Sequence, residues 1–166
     1  EALDYFPDLD DFNVGVDDYL ENIRKAKERV KIPIIGSLNG ITTEGWIDYS
    51  KQIEQAGADG LEVNIFFIPA DITMSSSEVE HRYLNIIEAI KSNVKIPVAV
   101  KLNPYFSSTG NMAMRMKNSG ADALVLFNRF YQPDFDINEM VLKTDLHYSE
   151  PSEIRLPLLW IALLFE

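Results

Sequence analysis

The chain has 166 residues, enough for one domain of ordinary size, and its 46% hydrophobic and 25% charged residues exclude disorder and collagen-like repetition. A net charge of −11 repels phosphate backbones and anionic lipid, so neither nucleic acid nor a membrane surface is an expected partner. The absence of cysteine removes disulfides, thiolate metal sites and a cysteine nucleophile, and it fits a cytoplasmic setting.

In chain order, Val16–Val30 carries Val16, Leu20, Ile23, Ala26 and Val30 at helical spacing, with Asp17 and Asp18 at the positive end of the dipole. A strand is predicted near residues 32–39, where Ser37 and Asn39 share a face. A second helix over Glu44–Ala56 sets Ile47 and Ile53 in a charged frame and stops at Gly57. The strand near 60–65 turns Leu61 and Val63 toward the helices and Glu62 and Asn64 the other way. Ser77-x-x-Glu80 reads as a capping box opening Glu78–Ser92, whose Val79, Tyr83, Ile86, Ile87 and Ile90 form one face. The strand near 97–103 leaves Ala99, Lys101 and Asn103 facing inward, Gly110–Ser119 is the next helix, and the strand near 123–128 ends on Asn128. The apolar run ending at Phe165 is shorter than the ~18 residues that span a bilayer, and a helix so apolar calls for a neighbour. With a first residue that is not Met, the chain reads as a piece of a longer protein.

Lys31-Ile32-Pro33-Ile34 returns as Lys95-Ile96-Pro97-Val98, and Gly57-Ala58-Asp59 returns as Gly120-Ala121-Asp122. Two unit types therefore alternate, one about every 32 residues, the length of a βα unit. Short apolar strands alternating with amphipathic helices mean a parallel sheet, either doubly wound or closed as a (β/α)8 barrel. Regular spacing and polar residues at successive strand ends favour the barrel. The expectation is an α/β chain holding roughly the middle five of eight units of a TIM barrel, as a single partial domain over 1–166 with no separate second domain.

Chemistry in such a barrel sits at the C-terminal ends of the strands. Lys101 stands out, because an ammonium inside Pro-Val-Ala-Val-Lys-Leu is expensive to bury without an anion or strong acceptor. It is either a cofactor- or substrate-contacting cation or half of a structural ion pair with Glu62. Asn64 and Asn128 offer donors and acceptors to a flat heterocycle, or cap the loops they open. Ser37 and Asn39 are weaker candidates, since Ser-Leu-Asn-Gly is also a good turn. Ser75, Ser76 and Ser77 can hold a catalytic hydroxyl or a helix cap. His81 and His147 stand apart in polar surroundings, so no metal site is expected. Phe127, Phe130 and Tyr131 line a ring pocket or fill core. A barrel-mouth lysine also suits a Schiff-base aldolase.

Val100-Lys101-Leu102-Asn103-Pro104-Tyr105-Phe106 resembles the Val-Lys-Leu-x-Pro-Tyr-Phe segment of class 1 dihydroorotate dehydrogenases. Leu61-Glu62-Val63-Asn64 is similar to their Glu-Leu-Asn strand, Pro33–Leu38 to the strand before it, and Glu153–Leu159 to a helix start shared with dihydropyrimidine dehydrogenase. The resemblance implies an FMN-carrying barrel that moves hydride between a dihydropyrimidine-type ring and flavin N5. Lys101 would lie beside the flavin N1/O2 edge, with Ser37, Asn39 and Asn128 on the flavin side. Asn64 and Asn128 would bind the pyrimidine. Dimerisation is implied by the resemblance alone. The family's proton-abstracting cysteine falls at Phe67, which carries no base. Ser75, Ser76 or Ser77 would then act from the same loop, or the chain is a diverged, non-catalytic flavin barrel.

Overall fold

The computed structural model describes residues 15–39, 43–65, 67–129, 134–143 and 148–165. His147, Phe130 and Tyr131, considered above, lie outside them. Helix α1 (Val16–Arg29) leads into β1 (Ile35–Leu38), followed by α2 (Thr43–Gln55), β2 (Gly60–Asn64), α3 (Ser76–Lys91), β3 (Val98–Leu102), α4 (Thr109–Asn118) and β4 (Ala123–Leu126). The four strands pair in sequence order, all parallel.

Side-chain alternation decides between the two parallel architectures. Leu61, Val63, Val98, Val100 and Leu102 are fully buried and share one core with Ile23 of α1, Trp46 and Ile53 of α2, Tyr83 and Ile87 of α3 and Met112 and Met116 of α4. The alternate residues Ser37, Glu62, Asn64, Ala99 and Lys101 are not buried. A doubly wound sheet covers both faces with helices; a barrel wall covers only its outer one. The chain is an arc of a (β/α)8 barrel. Among the described residues the arc has four parallel strands. Beyond them an antiparallel hairpin, β5 (Asp134–Asp136) with β6 (Val141–Lys143), precedes the apolar helix α5 (Arg155–Leu164). Helix α5 buries none of its residues against the described part of the chain.

Each Gly-Ala-Asp turn does more than reverse the chain. Asp59 accepts from Lys27 Nζ (2.7 Å), in the last turn of α1, and from the Ile34 amide (2.7 Å) that leads into β1. Asp122 repeats the arrangement one unit pair later, with Lys91 Nζ (2.5 Å) and the Val98 amide (2.8 Å). One carboxylate thus ties a helix end to the strand that follows it, and those bonds hold both carboxyls below the usual aspartate range. A depressed pKa stabilises the fold above the unfolded-state value, about 3.9, and that stability is lost as pH falls through the folded-state value. Urea unfolding of an Asp59→Asn/Asp122→Asn variant should therefore give lower stability at pH 7 and a flatter decline than wild type below about pH 4.

Candidate active site at the strand ends

The inward face of the arc carries two polar rows. In the lower one Ser37 lies opposite Glu62, and Glu62 opposite Ala99. In the upper one Asn64 lies opposite Lys101, and Lys101 opposite Val125. Ser37 Oγ donates to Glu62 Oε1 (3.0 Å), and Lys101 Nζ stands 3.7 Å from the same oxygen. Lys101 therefore makes the ion pair with Glu62 while remaining partly open to the inner face, its side chain 31% exposed. A pair so exposed adds little to stability, about 0–1 kcal/mol.

Asn64, at the end of β2, and Asn128, two residues beyond β4, meet directly, Asn128 Nδ2 donating to Asn64 Oδ1. The Asn128 amide also donates to the Leu102 carbonyl (2.5 Å), which fastens the end of β4 to the end of β3. That pairing leaves Asn64 Nδ2 as a donor and Asn128 Oδ1 as an acceptor, complementary to the N–H and C=O of a cyclic amide. Asn39 is exposed one residue beyond β1. Beneath Ser37, the Tyr19 hydroxyl of α1 donates to the Ser37 carbonyl (3.0 Å) and accepts from its amide (2.8 Å), so α1 sets the height of β1.

The serine run behaves differently. The capping box is Ser75-x-x-Glu78, not Ser77-x-x-Glu80, and α3 starts at Ser76. Ser75 Oγ donates to Glu78 Oε2 (2.7 Å) and accepts from the Glu78 amide (3.3 Å), while Glu80 is drawn across to Arg115 of α4. Ser77 Oγ lies 3.2 Å from His81 Nδ1, but that nitrogen also faces the Ser77 carbonyl at 2.7 Å. A nitrogen donating to a carbonyl cannot also take the serine's proton, so this is not an activated hydroxyl. The bonds of Ser75 and Ser77 stay within the first two turns of α3, apart from the Lys101 cluster.

Asn103 corrects the alternation argument. The strand ends at Leu102, so Asn103 does not continue the inward row; it is buried, and its Nδ2 donates to Tyr83 Oη (3.0 Å) of α3. Tyr83 Oη in turn donates to the Ile65 carbonyl (3.2 Å), and Asn103 Oδ1 accepts from the Tyr105 amide (2.8 Å). Sequence patterning assigned Tyr83 only to an apolar face. Its hydroxyl ties the chain just after Asn64 to the chain just after Lys101. Burial pushes the Tyr83 phenol pKa up, so it stays a neutral donor. Tyr83→Phe keeps the ring and strands two buried polar groups. It should cost about 1–3 kcal/mol, read as a fall in thermal midpoint with unchanged far-UV circular dichroism.

Comparison with known proteins identifies the family. The family model for dihydroorotate dehydrogenase matches residues 12–145. The catalytic subunit of dihydroorotate dehydrogenase B (NAD(+)) from Methanocaldococcus jannaschii is 32% identical over 120 residues, covering 70% of this chain and 39% of that protein. Its counterpart from Thermoplasma volcanium is 33% identical over 130 residues, covering 75% and 41%. The chain thus spans about two fifths of the length of these curated relatives. Among solved structures, phosphonopyruvate hydrolase superposes with a TM-score of 0.55 at 17% identity, over 71% of this chain and 44% of that one. Dihydrodipicolinate synthase from Agrobacterium tumefaciens gives 0.52 at 18% identity, over 66% and 37%. At such identity these two share the fold alone. The family match over most of the chain means that the chain belongs to the dihydroorotate dehydrogenase family.

Proposed function

We infer that the complete protein is an FMN-dependent oxidoreductase of the dihydroorotate dehydrogenase type, acting in the cytoplasm on a dihydropyrimidine or related cyclic amide, within a single barrel domain to which residues 1–166 contribute. The observation that carries this is Lys101, a cation on the open inner face of the arc, set beside Asn64. The donor set fits an isoalloxazine ring. An ammonium matches the edge where negative charge gathers on reduction, Ser37 and Asn39 offer further polar contacts, and the Asn64–Asn128 pair offers one donor and one acceptor to a cyclic amide. Bound FMN would supply the hydride acceptor. Lys101 would hold the flavin's polar edge, Asn64 and Asn128 would orient the substrate amide, and the β2–α3 loop would keep water from the reacting face.

Phe67 stands where the family's base is expected, its ring under the Arg82 guanidinium (4.2 Å to the centroid). We place the proton acceptor at Ser76, with Ser75 occupied as the cap of α3 and Ser77 set against a His81 nitrogen that donates to a carbonyl. Ser76→Ala, with Ser75 kept so that the cap survives, should lower turnover by about 10²-fold or more. Turnover equal to wild type would remove Ser76 from the chemistry. The same Phe67 supports a second reading, a diverged barrel that binds flavin without turnover. The aldolase reading is weaker, because the ion pair with Glu62 engages Lys101 as a cation, the form a Schiff-base nucleophile does not use.

The deciding experiment is the visible absorbance spectrum of the complete protein as purified, with identification of any chromophore released on denaturation. Released FMN, with a dihydropyrimidine bleaching the bound flavin, is the expected result. FMN without bleaching favours the non-catalytic barrel, and a colourless protein that refuses added FMN overturns the flavin reading.

A further inference from the structure

The loops that follow Asn64 and Lys101 bear on which ring the site takes. Between them lies a cavity of about 240 Å³, lined by Phe67 and Ile68 of the β2–α3 loop, Val79 of α3, and Asn103, Tyr105 and Phe106 of the β3–α4 loop. We propose that this cavity seats an apolar substituent on an uncharged cyclic amide, so that the substrate is a ring-substituted, neutral imide or lactam and not a ring carboxylate. The proposal rests on the cyclic-amide reading of Asn64, Asn128 and Lys101 and extends it.

Four observations carry it. The first is position. The walls begin three residues after Asn64 and two after Lys101, at the same end of the same adjacent strands.

The second is chemistry. The lining is mostly carbon, and Asn103, its one amide, is already used on both sides by Tyr83 Oη and the Tyr105 amide. No Lys or Arg belongs to the described lining, and the Arg82 guanidinium beside it is stacked on the Phe67 ring, so nothing in the lining itself pairs a carboxylate.

The third is rigidity. Tyr83 braces both loops through Ile65 and Asn103, Phe106 packs edge-on against Tyr83 (5.2 Å between centroids, 79° between planes), and Arg82 covers the Phe67 ring. The fourth is size. The volume falls below that of a typical whole-ligand pocket, as suits a subsite for one substituent.

The test is isothermal titration of the complete protein with dihydrouracil, dihydroorotate and 6-phenyl-dihydrouracil, which differ only at the substituted carbon. The phenyl compound should bind at least about tenfold more tightly than dihydrouracil, the return from burying one ring. Dihydroorotate should bind no more tightly than dihydrouracil. Val79→Asp puts a carboxylate into the lining from the first turn of α3, where the helix dipole tolerates an acid, and should abolish the phenyl preference. Tyr105→Ser, at an exposed residue, should reduce the preference without affecting folding. Tightest binding of dihydroorotate, equal affinity for all three rings, or a phenyl preference that survives both lining variants would overturn the proposal. Released chromophore is measured on the same preparation. A protein without FMN counts against the flavin reading, while the cavity stands or falls on the phenyl preference alone.

Discussion

Replacing Lys101 with methionine should lower turnover of the complete protein by about 10²–10³-fold while leaving it folded. Methionine keeps an unbranched stem of similar length, so the change removes charge with little loss of volume. The loss of stability should be small, because the pair with Glu62 is partly exposed, separated by 3.7 Å and open to solvent screening. On the proposed flavin chemistry the loss of rate should be large, because a fixed ammonium would stabilise charge that develops only as a bound flavin is reduced. Glu62 complicates the single variant. Without Lys101 its carboxylate keeps the Ser37 hydroxyl as partner but faces the site unneutralised. Lys101→Met/Glu62→Gln separates the two effects. It should restore any lost flavin affinity and leave turnover as low as in the single variant. Steady-state rates and thermal midpoints measured together check both halves. A Lys101→Met protein within about threefold of wild-type turnover would mean that the cation serves only the ion pair.

The parts of this arc legible in the sequence are those set by one local periodicity. The four helices and four strands fall where amphipathic spacing and the Gly-Ala-Asp turns put them, within a few residues at each end. The inward set of Ser37, Glu62, Asn64 and Lys101 follows from alternation because all four belong to regular strands. Asn103 was misplaced because alternation ends with the strand. The capping box was misplaced because Ser75-x-x-Glu78 and Ser77-x-x-Glu80 satisfy the same local pattern. Arg115, a partner from another helix, takes Glu80 and leaves Glu78 to the cap. The Asp59 and Asp122 clamps left a usable signal, a lysine near the end of a helix paired with an aspartate about one βα unit later in both halves of the repeat. The hairpin of β5 and β6 left almost none. Its turn is made by the Asp136 carboxylate accepting from the Asn138 and Glu139 amides and by Met140 at positive φ, with too few residues to display alternation.

The repeat also hides a difference in packing, and Gly36→Val should expose it by destabilising the protein by about 3 kcal/mol. Gly36 faces the helices from β1, and a Cβ there would stand 2.5 Å from Ile53 Cγ2 and 3.5 Å from Ile23 Cδ1. Both isoleucines are almost fully buried, and the nearer atom is a branch fixed at Cβ, so neither can swing aside. In the second half of the repeat the corresponding residues are Val100 and Met116, both fully buried. The volume withheld from the strand in one half is thus given to the helix as a branched side chain, while the other half sets a branched strand residue against a straight, adaptable one. Inserting valine at Gly36 breaks that exchange. The strand must retreat from α2, and Ser37, the next residue, moves with it, away from Glu62 and from the Tyr19 hydroxyl that supports its backbone. Urea unfolding should show the loss in Gly36→Val and recovery of part of it in Gly36→Val/Ile53→Ala, which clears the clashing branch. Equal stability of wild type and the single variant would mean that β1 has room to move, and the site would then be less rigidly seated than its hydrogen bonds imply.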